Sequence, residues 1–347
     1  MNSDNIIVRC EGLTKIYREI AALEDLNLEI PRGHIFGYIG HNGAGKTTTI
    51  RILAGMLMPT RGKASIAGVD VSSGRDKIKS LVGYMPDSFG VYEQMRVWEY
   101  LDFFGAAFKI PRSKRLDRID YVLNLTEAEY MRDRFVDTLS HGMKQRIGIA
   151  RTLMHDPEVM LLDEPANGLD PQARVQMRQL LRKLADGGKT LLVSSHILPE
   201  LAAVCDEVGI IHQGHLKAFG PIAKVLSQIK RDRLMEIRAL DGWPRIEQFI
   251  RADRRCSHMD KSELDQNVLK FRFDGDEAAV AALLKDAIKE GISPVSFREI
   301  PLSLEEAYLA ISGISATPGT GSSGELTLDF GNSQEPSLTE PAGSASK

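Results

Sequence analysis

Between residue 5 and about residue 220, short apolar runs rich in β-formers alternate with stretches of helical spacing. The runs fall at 35–39, 81–85, 159–162, 190–194 and 208–211. This alternation predicts an α/β layer structure around a mainly parallel sheet. Between Arg96 and Asp156 such runs stop. There Trp98, Leu101, Phe104 and Phe108 recur at helical spacing, and Thr126 with Glu129 has the form of a capping box. These features predict an inserted helical subdomain over about 88–156, with Phe103, Phe104 and Phe108 in its core.

The character changes after Gly220. Leu269, Phe271 and Phe273 alternate with Lys270 and Arg272 as in a half-buried strand, and Val280, Leu283, Leu284, Ala287 and Ile288 follow at helical spacing. With an earlier strand near 234–239 and a helix around Ile246, Phe249 and Ile250, the predicted order is β-α-β-β-α-β. A last helix is expected where Ser303 and Glu306 could cap it. From 313 to 347 Gly, Ser, Thr and Pro dominate with little apolar clustering, so that segment is expected to stay disordered. The predicted organisation is therefore 1–222, a small α+β domain over 223–312, and a tail.

Length and composition add limits. A chain of 347 residues suits one domain of about 200 residues and a smaller one. Apolar residues make up 43% and charged residues 26%, enough for a substantial core. Lys and Arg number 44 against 47 Asp and Glu, giving a net charge of -3 and no sign of a large nucleic-acid surface, so no nucleic-acid partner is expected. Cys10, Cys205 and Cys256 lie far apart without C-x-x-C spacing, which argues against a disulfide framework or a zinc site. No run approaches the roughly 18 apolar residues that cross a bilayer, and the first residues lack the pattern of a signal peptide, so any membrane-spanning part of the system is expected on another chain.

The chemistry concentrates in two places. Gly40, His41, Asn42, Gly43, Ala44, Gly45, Lys46 and Thr47 fit G-x-x-x-x-G-K-[ST] between a predicted strand and the helical run 48–57, with Thr48 next in line. Glycines let successive N–H groups point at phosphate oxygens, Lys46 reaches the outer phosphates, and the Thr47 hydroxyl suits magnesium. Further on, the run 159–162 ends in Asp163 and Glu164. Two carboxylates at a strand end can hold magnesium (Asp163) and orient or deprotonate a water (Glu164) beside the γ-phosphate. Together they predict a site for nucleotide phosphate cleavage that uses magnesium.

Leu139-Ser140-His141-Gly142-Met143-Lys144-Gln145-Arg146 resembles the signature sequence of the ATP-binding cassette family, commonly Leu-Ser-Gly-Gly-Gln. Other landmarks of that family follow in order over roughly 5–220. Tyr17 matches the aromatic that stacks on adenine, Asn167 to Asp170 match the dimer-contacting loop, and His196 matches the switch histidine. The resemblance implies a P-loop cassette with a RecA-like α/β core, an antiparallel β subdomain and the helical insertion. It also implies that Ser140 and Gly142 clamp the γ-phosphate held by a second copy, so that the chain works as a dimer, most simply a homodimer. The implied partner is a separately encoded membrane permease, docked near 90–100, with the cassette peripheral on the cytoplasmic face. The short C-terminal domain looks most like two-component exporters.

Two places depart from the pattern. Asp87 stands where the family carries a glutamine, so a carboxylate that could still reach magnesium replaces an amide that senses the metal and the attacking water. His141 and Met143 replace the usual Gly and Gln, which predicts altered clamping. The competing readings are a regulatory cassette that binds ATP and barely hydrolyses it, and a soluble cassette acting in translation or DNA repair.

Overall fold

The structure is a computed structural model that describes residues 5–88, 90, 94–196, 201–229, 233–240, 243–261 and 267–300. The strand-by-strand order of the first part is β1 (Ile6–Tyr17), β2 (Ile20–Pro31), β3 (Ile35–Ile39), α1 (Lys46–Leu53), β4 (Arg61–Ile66), β5 (Val69–Asp70), α2 (Arg75–Leu81) and β6 (Val82–Met85). The helical stretch holds α3 (Val97–Ala107), α4 (Arg112–Leu125) and α5 (His141–Leu153). Then come β7 (Val159–Asp163), α6 (Pro171–Asp186), β8 (Thr190–Ser195), β9 (Glu207–His212), β10 (His215–Pro221) and α7 (Ile222–Ile229).

Six strands form the central sheet in the order β10-β9-β3-β8-β7-β6, parallel except for the β9–β10 hairpin. β3, β7 and β8 are buried along their whole length. Their alternate residues feed two different cores, which is why these strands read as unbroken apolar runs rather than alternating ones. Ile35, Ile39, Met160, Leu162, Leu191 and Val193 join the helical side. Phe36, Tyr38, Val159, Leu161 and Leu192 face the side covered by α1 and a second, antiparallel sheet of order β2-β1-β4-β5. Register shifts at Cys10/Leu13 and Leu13/Lys15 break the two-residue period of β1, so the alternation that would mark this sheet is lost from the sequence.

The inserted helices form as expected, with two corrections. Thr126 does not start a helix: it ends α4, where its buried hydroxyl donates to the Val122 carbonyl at 2.8 Å. Its apolar neighbours pull the threonine inward and leave no N-cap role. The reciprocal contact lies instead at α3, where Glu99 accepts from the Arg96 N–H at 2.8 Å. Phe103 and Phe108 are exposed and Phe104 is half-buried, because α3 turns only Val97, Tyr100, Leu101 and Gly105 fully inward. Phe108 lies just past the helix end and stacks on His155. α4 is joined to the end of α5 by Arg118, whose guanidinium donates to the Leu153 and Met154 carbonyls.

The C-terminal elements are β11 (Arg233–Ala239), α8 (Trp243–Ala252), β12 (Cys256–Lys261), β13 (Val268–Phe273), α9 (Glu277–Lys289) and β14 (Pro294–Glu299), the expected β-α-β-β-α-β order. Their strands make an antiparallel sheet of order β12-β13-β11-β14, a split β-α-β arrangement. It has its own core of Met235, Ile237, Leu269, Phe271 and Phe273 under Ile246, Ile250, Leu283 and Ala287. Ile288 is exposed rather than inward, since Leu283 and Ala287 define the buried stripe of α9. The phosphate-loop helix ends at Leu53, short of residue 57. The Ser303–Glu306 cap, the 313–347 tail and residues 89 and 91–93 of the docking segment lie outside the described residues.

Leu161 is fully buried between the sheet and the antiparallel layer. Leu161→Ala is expected to lower unfolding free energy by about 2–5 kcal/mol in chemical denaturation, and a loss under about 1 kcal/mol would contradict the packing described.

Candidate functional site

The register of the central strands sets the site before any side chain does. Ile39 pairs with Ser195 and Asp163 with Ser194, so β3, β7 and β8 end side by side. Ligand sites of open α/β sheets form at such carboxyl ends.

After β3 the chain curls through residues 40–45 into α1. Gly45 caps that helix at φ 111°, and a Cβ there would stand 2.6 Å from the Ala22 carbonyl oxygen, so only glycine fits. The curl is braced from outside by the β9–β10 turn, whose Gly214 N–H donates to the Ala44 carbonyl at 3.0 Å. From inside, the Thr49 hydroxyl donates to Gly45 O at 3.1 Å and lies 3.1 Å from the buried Tyr38 hydroxyl. Lys46 is 6% exposed. Its ammonium donates to the Gly40 carbonyl at 2.5 Å and the His41 carbonyl at 3.3 Å, and lies 3.3 Å from Glu164 Oε1.

Asp163 and Glu164 are both buried and are held by different partners. The Thr47 hydroxyl donates to Asp163 Oδ2 at 2.8 Å and the Ser194 hydroxyl to Asp163 Oδ1 at 2.5 Å. Ser194 Oγ in turn accepts from the Glu164 N–H at 3.0 Å. Glu164 sits in the left-handed region at φ 51°, and its Oε2 lies 2.8 Å from His196 Nδ1. An ionised carboxylate only accepts, so Nδ1 carries the proton in that contact. Burial pushes the Glu164 carboxyl up, but the hydrogen bond from His196 and the charge of Lys46 outweigh it and hold the group below the usual glutamate range. Thr47 and Asp163 present hard oxygen donors side by side, a set that fits magnesium.

The structure thus brings together Gly40, His41, Lys46, Thr47, Asp163, Glu164 and His196. Ser194 joins them and was not among the sequence candidates; its signal was a small polar residue at the end of a buried strand. Ser140 and Gly142 stand elsewhere, in a groove of about 410 Å³ where α5 meets the start of α6, lined also by His141, Arg146, Gly168 and Asp170. Ser140 caps α5, its Oγ accepting from Met143 N–H at 3.4 Å. Tyr17 ends β1, 43% exposed, with the Lys15 ammonium 5.1 Å from its ring centre. Asp87 is exposed after β6. Asp163, not Asp87, holds the Thr47 hydroxyl, and Asp87 Oδ1 accepts from the Asn167 side-chain amide at 3.3 Å.

Stability should carry the mark of Glu164. Its lowered carboxyl stabilises the folded chain while ionised, and that contribution is lost as pH falls below the usual glutamate range and through the folded value. Unfolding free energies measured over an acid pH series should fall more steeply for the parent than for Glu164→Gln; parallel curves would contradict the assignment.

Residues 23–167 match the ABC transporter family. The chain is 31% identical over 308 residues to the Nod factor export ATP-binding protein I of Ralstonia nicotianae, covering 88% of this chain and 94% of that one. It is 35% identical over 229 residues to an uncharacterized ABC transporter ATP-binding protein of Synechocystis sp., a match that spans 63% of this chain and 64% of that relative's length. A solved ATP-binding subunit of an ABC transporter superposes with a TM-score of 0.58 at 30% identity, over 64% of this chain and 92% of the other.

Proposed function

The chain belongs to the ABC transporter family as an ATP-binding subunit, and we propose that two copies close on ATP, hydrolyse it and pass the motion to a separately encoded permease that exports its cargo. The observation that carries this reading is the meeting of Lys46, Thr47, Asp163, Glu164 and His196 at the ends of three adjacent strands. Among the described residues no helix is long and apolar enough to cross a membrane, which supports a permease on another chain and a peripheral position on the cytoplasmic face of the membrane. The Nod factor export relative supports export over import.

In this reading the N–H groups of residues 42–48 cradle the phosphates at the start of α1, where the helix dipole favours anions. Lys46 exchanges its carbonyl and Glu164 contacts for β- and γ-phosphate oxygens. Thr47 and Asp163 would hold magnesium, which would supply screening of the phosphate charge. Glu164, released by Lys46 and still steadied by His196, orients the attacking water and accepts its proton. Tyr17 supplies an exposed ring for the adenine face. The Ser140 end of α5, with Gly142, meets the γ-phosphate held by the opposite copy, which makes ATP the glue of the dimer.

Glu164→Gln should bind ATP, lose about 10²- to 10⁴-fold in phosphate release, and accumulate as a dimer at saturating ATP in light scattering. A monomer under those conditions, alone and with the permease, would overturn the paired mechanism. Removal of Ser140 and Lys46 together should abolish turnover.

A further inference from the structure

Asp87 and His141, two of the three residues that depart from the family pattern, touch one residue. The Asn167 side-chain amide donates to Asp87 Oδ1 at 3.3 Å, and the Asn167 backbone carbonyl faces His141 Nε2 at 2.9 Å. A carbonyl can only accept, so this contact, the shorter of the two at Nε2, uses a proton on Nε2; the Gln145 side-chain nitrogen lies 3.4 Å from the same atom. The Asn167 N–H donates to the Glu164 carbonyl at 3.1 Å. Asn167 is therefore held from three sides: by Glu164 within its own turn, by the segment after β6, and by the first residue of α5. Gly168 makes room for this. At φ 69°, a Cβ there would stand 3.3 Å from His141 Nε2. A glycine at 141 would have no group able to span this gap.

We propose that Asp87 and His141 act as one positioning unit through Asn167, fixing the 164–170 loop, and with it Glu164, against the N-terminus of α5. Asp87 then serves as a hydrogen-bond acceptor for an amide, and its charge is not what the site uses. A glycine at 141 would lack the contact to the Asn167 carbonyl, and a glutamine at 87 carries its accepting oxygen one methylene further from the backbone; here the two changes meet on one residue. One side of the loop carries Glu164, which serves the copy's own ATP, and the other meets Ser140, which serves the opposite copy's ATP, so the unit ties the two sites of the pair. This rests on the ATPase reading above for what is positioned, while the contacts themselves stand apart from it.

The test uses the full chain with its permease and four variants: Asp87→Ala, His141→Ala, the double variant, and Asp87→Asn, whose amide oxygen still accepts. Each alanine variant should lower kcat about three- to tenfold with KM for ATP little changed, and the double should be no worse than the poorer single. Asp87→Asn should recover most of the loss. Amide hydrogen exchange of 166–169 in the chain without ATP should quicken in both alanine variants and return toward the parent in Asp87→Asn. A multiplicative double variant, an Asn variant as poor as the Ala one, or unchanged exchange in Asp87→Ala would overturn the proposal. If the parent itself fails to hydrolyse ATP, the functional reading falls, and the exchange measurement still decides this one.

Discussion

A short chain of hydrogen bonds, Thr47 to Asp163 to Ser194 to the Glu164 backbone, holds the site together. It joins the half-buried first turn of α1 to the buried ends of β7 and β8, where unsatisfied polar groups are costly and satisfied ones define a single geometry. Ser194 both gives and takes, the Thr47 hydroxyl and the Glu164 N–H give, and the Asp163 carboxylate accepts at both oxygens. Placing Glu164 one residue further, in a left-handed turn, lets it leave the strand direction and face Lys46 and His196 rather than the sheet.

That geometry makes the basic and acidic partners interchangeable. Lys46 is already surrounded by oxygen acceptors, two carbonyls and a carboxylate. In the proposed mechanism phosphate oxygens would therefore replace like with like. Glu164 meets Lys46 through Oε1 and His196 through Oε2, so in the proposed exchange a change of partner at one oxygen would leave the other in place.

Much of this was legible in the chain itself. The strands of the central sheet announced themselves because both their faces are buried, and Gly40 to Thr47 with Asp163 and Glu164 fixed the chemistry because phosphate binding tolerates few residue types. The antiparallel layer was hidden from periodicity by the register shifts of β1 and was expected only through family resemblance. Thr126 misled because a threonine with a glutamate three residues on has the same spelling at a helix start and in a helix-ending turn; burial decided between them. Phe103 and Phe108 misled because hydrophobic spacing does not say which of several apolar stripes a helix turns inward. Asn167 was visible only as a match to a loop; its partners are 26 and 80 residues away and no local pattern joins them.

The division of β7 between two cores limits how this chain can vary in length. Leu161 packs on one side, Leu162 on the other, and Asp163 completes the pairing with Ser194. One residue inserted or deleted within the strand would exchange the contents of both cores at once and rotate the carboxylate away from the helix it anchors. Only the connections between strands can change length without moving both cores and the carboxylate together.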